Sequence, residues 1–105
     1  MNPQDKQILN TFSSRVRALF PDARIWAFGS RARGTATEES DLDVCVVVEG
    51  LTEEMDDIIL GIACDVGIQY DLVITPITYS LGEFEQGPLS VSPLVRVIRR
   101  EGVAT

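Results

Sequence analysis

Asp41 and Asp43 stand at the head of a run that is otherwise apolar, Asp41-Leu-Asp-Val-Cys-Val-Val-Val48. Valines and leucine at this density read as a buried β-strand over Leu42–Val48. Alternation puts Leu42, Val44, Val46 and Val48 on one face and Asp41, Asp43, Cys45 and Val47 on the other. The lower end of that second face is apolar like the first. One end of the second face is charged, however, and its two carboxylates project side by side. Such a pair repels unless a cation lies between its members, and hard oxygen ligands of this kind suit Mg²⁺.

The segment before this strand supplies a matching half-site. Ile25-Trp26-Ala27-Phe28 is a short buried strand that ends in Gly29. Gly29 and Ser30 then offer backbone N–H groups at the start of a brief helical segment, where phosphates bind. Gly34 ends that segment, and the polar stretch Thr35–Ser40 leads to the carboxylates. A phosphate cradle followed by a metal-binding pair describes a nucleoside-triphosphate site. Asp71 lies in Gln69-Tyr-Asp-Leu-Val-Ile-Thr75, read as a third strand stopped by Pro76. Aspartate is depleted in strands and seldom buried without a partner. Placed beside Asp41 and Asp43, it would complete a trio able to hold two Mg²⁺ ions. Taken singly, these features are unspecific: an Asp-x-Asp is more often a solvated strand end, Gly-Ser a plain turn, and Asp71 an arginine's partner. Arg31 reads as a solvated surface charge. It is the combination, in this order, that is specific.

The remaining elements follow from capping and periodicity. Asn2 and Pro3 are an N-cap with proline at the first helical position, and Ile8, Leu9, Phe12, Val16, Leu19 and Phe20 recur at helical spacing until Pro21. A second long helix runs from Thr52 to about Val66, with Met55, Ile58, Ile59, Ile62 and Val66 as its core stripe and Gly67 as its stop. Ser80-Leu-Gly-Glu83 matches a capping box, and Ser92-Pro93 opens a last helix that closes at Gly102. The order predicts an α/β (α+β) layer fold. The connection between the first two strands is short for a parallel crossover, so the sheet is expected to be mixed.

Bulk properties narrow the function. At 105 residues the chain is expected to be one domain, residues 1–105. Its net charge of −7 lacks the footprint of a phosphate-backbone binder, so the expected partner is a basic protein rather than nucleic acid. The absence of histidine removes Ser-His and Cys-His nucleophiles and argues against zinc. Cys45 and Cys64 each lie in apolar surroundings and read as buried free thiols. Neither a signal peptide nor a membrane span is apparent, so a cytoplasmic location is expected.

The motif Gly29-Ser30, Arg33-Gly34, Ser40-Asp41-Leu42-Asp43, with ten residues between Ser30 and Asp41, resembles the signature of the DNA polymerase β-like nucleotidyltransferases. More closely it is similar to their minimal nucleotidyltransferase (MNT) domains. Tyr70-Asp71-Leu72-Val73 fits the family's third-carboxylate strand and Ile98–Gly102 its terminal helix. The resemblance implies the polymerase β-like fold, with a mixed sheet flanked by helices. It implies ATP as substrate, two Mg²⁺ ions held by Asp41, Asp43 and Asp71, and nucleotide contacts from Gly29, Ser30, Arg33 and Ser40. It also implies pairing, in a homo- or hetero-oligomer, with a helical HEPN toxin. The MNT protein would act there as an antitoxin that transfers AMP to a toxin tyrosine. Two alternatives are a non-catalytic antitoxin that acts by binding, and a small-molecule nucleotidyltransferase working with a separate helical subunit.

Overall fold

The computed structural model describes residues 1–105. Helix α1 (Pro3–Leu19) starts at Asn2, whose side chain accepts the Asp5 N–H at 2.7 Å. Strand β1 (Arg24–Phe28), the short α2 (Gly29–Arg33) and strand β2 (Leu42–Val48) follow. Next come α3 (Glu53–Tyr70), β3 (Ile74–Ser80) and α4 (Leu81–Glu85), the last opened by the expected capping box between Ser80 and Glu83. A 3₁₀ turn (Pro88–Val91), α5 (Pro93–Glu101) and a two-residue β4 (Val103–Ala104) complete the chain. The 3₁₀ turn and β4 are too short for any periodicity to reveal them.

The sheet is mixed, in the order β3-β2-β1-β4, with β1 antiparallel to β2 and β4 and β2 parallel to β3. Its two faces carry separate cores. Leu42, Val44, Val46 and Val48 pack with α1 and α3 through Ile8, Phe12, Val16, Ile59 and Val66. Phe28, Cys45 and Val47 pack with Tyr79, Phe84, Val95 and Ile98 beneath α4 and α5. Within the second cluster Trp26 stacks on Phe84 at 5.3 Å between ring centroids, and Arg99 lies over the same ring at 4.5 Å. Asp41 and Asp43 belong to this second face by alternation, with Cys45 and Val47 below them.

Three boundaries depart from the sequence reading, two of them for one reason. Helix α3 does not stop at Gly67 but continues to Tyr70, and the third strand begins at Ile74 rather than Gln69. Gly67 is required by a close approach instead: a Cβ there would lie 2.6 Å from the Leu72 carbonyl oxygen. That carbonyl can come so near because the chain folds back over the helix end. Asp71 caps the helix at φ 55°, ψ 48°, and the Leu72 N–H bonds back to Gly67 O at 3.0 Å. Strand β3 then runs straight through Pro76, where the sequence predicts its stop. β3 is an edge strand, and its parallel ladder begins with the Leu42 N–H on Val73 O at 2.9 Å. Alternation from there turns the Pro76 nitrogen outward, where no partner strand needs a donor.

Three side chains also lie elsewhere than expected. Ile58 of the predicted α3 core stripe is 36% exposed, and Ala63 is buried in its stead. Cys64 is exposed, while Cys45 is the buried free thiol that was expected. Arg31 is no solvated surface charge. Its side chain is only 10% exposed and pairs with Asp5, itself 5% exposed, at 2.9 Å. Its other nitrogens donate to Ser40 O at 2.8 Å and Glu38 O at 3.2 Å. One guanidinium thus ties the start of α1, α2 and the loop before Asp41 together.

Breaking this clamp leaves a buried carboxylate without a partner, which typically costs about 3–5 kcal/mol. Arg31→Met is therefore expected to lower stability by about 3 kcal/mol or more in denaturant unfolding, and Asp5→Asn in the same chain should recover part of the loss. A loss below about 1 kcal/mol, the range of an exposed pair, would show that the clamp does not form.

Candidate functional site

The antiparallel register sets the end of β1 opposite the start of β2, with Phe28 facing Asp43. The next residue, Gly29, takes φ +77°, which L side chains rarely adopt. Its bare Cα also lets the Asp43 carboxylate lie directly against it: a Cβ on Gly29 would stand 2.5 Å from Asp43 Oδ2. Glycine is thus demanded here by the backbone and by the carboxylate together. Ser30 follows in the first turn of α2, where the N-cap Phe28 makes no side-chain cap. Gly34 closes α2 in the left-handed conformation, as its sequence position suggested.

Asp41 and Asp43 share one sheet end, and neither takes part in an ion pair. Burial raises the Asp43 carboxyl above its ordinary range, and the neighbouring Asp41 charge adds to the rise. Two carboxylates held together without a cation are the arrangement a divalent metal relieves. Thr75 joins them from the next strand. It is paired with Asp43 in the β2–β3 register, and its Oγ1 lies 3.5 Å from Asp41 Oδ2, a long hydrogen bond. The donor set, two carboxylates and a hydroxyl, is hard oxygen throughout and fits Mg²⁺. Beneath it Cys45 is inert, since burial pushes its thiol up to about 12.

The structure does not bring Asp71 to this pair, contrary to the sequence expectation. As the cap of α3, Asp71 opens on an open polar cleft of about 440 Å³ on the α1/α3 side, alongside Asn2, Gln4, Asp5, Arg31 and Tyr70. Asp41 and Asp43 face the opposite side, and no group of three carboxylates or thiols capable of holding a metal is formed. Arg33 is about half exposed and lies 3.7 Å from Glu101 of α5. Ser40 is occupied in its own turn, its hydroxyl accepting the Thr37 N–H at 3.0 Å. Sequence reasoning missed Thr75 because its proximity depends on a strand register displaced by the four extra residues of α3. It missed the Asp5–Arg31 clamp because the partners are 26 positions apart.

The family profile for the nucleotidyltransferase domain matches residues 9–101, most of the chain and the whole of this site. The chain belongs to the nucleotidyltransferase domain family. It is 36% identical over 76 residues, 70% of its length, to MJ0141 of Methanocaldococcus jannaschii, named as a protein adenylyltransferase, and spans 77% of that protein. Over 34 residues, 32% of its length, it is 47% identical to MntA of Haemophilus influenzae, also named as a protein adenylyltransferase, and spans 30% of it. Among solved structures it resembles a toxin–antitoxin complex with AMP-PNP at TM-score 0.62 and 19% identity, covering 90% of this chain and 69% of that one. A mutant of the MntA–HpeT toxin–antitoxin gives TM-score 0.61 and 17% identity, over 99% and 72%. A nucleotidyltransferase from Sulfolobus solfataricus gives 0.53 and 22%, over 95% and 80%. At these identities the structural likeness speaks for the fold: this nucleotidyltransferase has the α/β architecture of its relatives. No helix in it is long and apolar enough to cross a membrane.

The strained carboxylate pair has a measurable sign in this nucleotidyltransferase. Asp43 holds its proton to higher pH in the folded chain than in the unfolded one, so the folded state loses stability as pH rises from the ordinary carboxylate range through the raised value. At neutral pH the full cost is present. Asp43→Asn is therefore expected to raise the melting temperature of the metal-free protein by about 1–3 °C, while abolishing any stabilisation by Mg²⁺. A fall in melting temperature at neutral pH would show that the pair is not strained.

Proposed function

We propose that this nucleotidyltransferase is a protein adenylyltransferase of a toxin–antitoxin pair, moving AMP from ATP to a tyrosine hydroxyl of a HEPN-type toxin. The observation that carries the reading is the uncompensated Asp41–Asp43 pair held against the bare Cα of Gly29. The names of its relatives support the transfer of AMP to a protein. Bound Mg²⁺ would neutralise triphosphate charge and polarise the phosphoryl oxygens. Asp41 and Asp43 would hold it, with Thr75 steadying Asp41. The amides of Gly29 and Ser30 receive the phosphates, and Arg33 adds a cation once it leaves Glu101. Ser40 contributes through the turn that delivers Asp41.

The acceptor oxygen attacks the α-phosphorus of ATP, and the bond from that phosphorus to the bridging oxygen breaks. Pyrophosphate leaves with the bonding electrons, and the hydroxyl proton passes to water. Positioning and charge compensation account for most of such a reaction. Because Asp71 opens on the cleft beside α1, the chain's own metal donors would be Asp41 and Asp43, with the Thr75 hydroxyl beside them. That same observation favours a second reading, an antitoxin that neutralises its toxin by binding alone.

The two readings part on one reaction. The purified protein, a candidate helical HEPN-type toxin, ATP and Mg²⁺ are expected to yield a single AMP adduct on a toxin tyrosine by mass spectrometry. Asp41→Asn should reduce the adduct about a thousandfold or more, whereas Asp71→Asn should leave its rate within about threefold, well under the 1.4 kcal/mol of a tenfold change. A tight complex with no adduct would favour the binding-only reading. An adduct that disappears with Asp71→Asn would contradict the assignment of donors.

A further inference from the structure

The outer surface of α3 is apolar where a solvent-facing helix is normally polar. Leu60, Cys64 and Ile68 recur every fourth residue and so stack along one stripe. Leu60 is 52% exposed, Ile68 80%, and Cys64 is also exposed. Beside the stripe a mostly apolar groove of about 440 Å³ runs to the start of β3, lined in part by Cys64, Ile68, Leu72 and Val73. Val73 is itself 60% exposed. Gly61 adjoins the stripe in the middle of the helix, where glycine costs about 1 kcal/mol relative to alanine. A Cβ there would meet nothing in the chain, so nothing within the fold requires the glycine. A bare position on an apolar stripe lets a second helix approach closely.

Charge identifies the occupant. Helix α3 carries Glu53, Glu54, Asp56, Asp57 and Asp65 and no lysine or arginine, and Asp71 caps it. Its one cationic contact from elsewhere is Arg15 of α1, 3.6 Å from Asp65. A second copy meeting this surface symmetrically would set acids against acids. An added strand is disfavoured as well, because β3 turns Pro76 toward the open edge. We propose that Leu60, Cys64, Ile68 and Val73 form the docking surface for an amphipathic helix of a partner protein, its apolar ridge bordered by lysines or arginines. This rests on the reading of the chain as one half of a two-protein module. It places the anchor on the face opposite Asp41 and Asp43, so docking and transfer are separable.

The test uses the full chain and a synthetic helical peptide with a leucine ridge flanked by lysines, beside a twin with glutamates in place of the lysines. The lysine peptide is expected to shift the amide resonances of residues 60–68 and Val73 saturably. It should also slow alkylation of Cys64 about tenfold, with buried Cys45 unreactive throughout. Ile68→Lys and Leu60→Lys, both exposed positions, should each weaken binding by about tenfold or more and leave Mg²⁺-ATP affinity unchanged. Equal binding of the glutamate twin overturns the proposal, as does binding that Ile68→Lys does not alter. Self-association of the free chain that Ile68→Lys abolishes would assign the surface to a second copy instead. Failure of AMP transfer with docking intact would overturn the proposed reaction and leave this surface standing.

Discussion

The carboxylate of Asp43 rests against a backbone position that has no side chain, and the site is organised around that contact. Gly29 can sit there because β1 ends one residue earlier, opposite Asp43, and because glycine tolerates the positive φ with which α2 begins. A bulkier residue would push the carboxylate away from the sheet end; a shorter β1 would remove the turn from it. The β1–β2 pairing therefore sets the geometry between the first amides of α2 and the acidic end of β2. Everything below that end is apolar on both faces, so the strand itself cannot shift to relieve the crowding.

The two faces of the sheet divide the work. One is closed by the long helices α1 and α3 over a continuous core of leucine, isoleucine, valine and phenylalanine. The other is covered by shorter elements and leaves the acidic end of β2 open beyond Cys45. Like charges held side by side lower stability, and the well-packed helical face offsets that cost while the Asp5–Arg31 clamp fixes the chain around it. The clamp also joins the scaffold to the site, since its guanidinium holds the loop that delivers Asp41. Local strain at a functional position, carried by a well-packed remainder, is the pattern expected of an active centre.

Much of this was legible in the residues, because the signals were local. Asn2-Pro3, Ser80-Leu-Gly-Glu83 and Ser92-Pro93 each announce a helix start by a side chain a few positions from the amide it satisfies, and all three formed. The strand Leu42–Val48 followed from its density of valine, and its division into faces from period-two alternation. What could not be read depended on distant partners. Gly67 resembles a helix stop, yet it is small because Leu72 O must pass close by, and this moved the start of β3 and took Asp71 out of the sheet. Pro76 resembles a strand stop only if the strand is internal; at an edge, with its nitrogen outward, it is tolerated. Arg31 looks solvated until Asp5 is seen to share its burial.

The proposed divalent-cation site lies between Asp41, Asp43 and Thr75 and excludes Asp71. Replacing Mg²⁺ by the paramagnetic ion Mn²⁺ in an isotope-labelled sample tests it directly, because amide resonances near the ion broaden steeply with proximity. The account predicts selective broadening at Gly29, Ser30, Asp43 and Thr75, with residues 68–72 and the N-terminus of α1 spared. Broadening centred on Asp71 and the cleft beside α1 would contradict it.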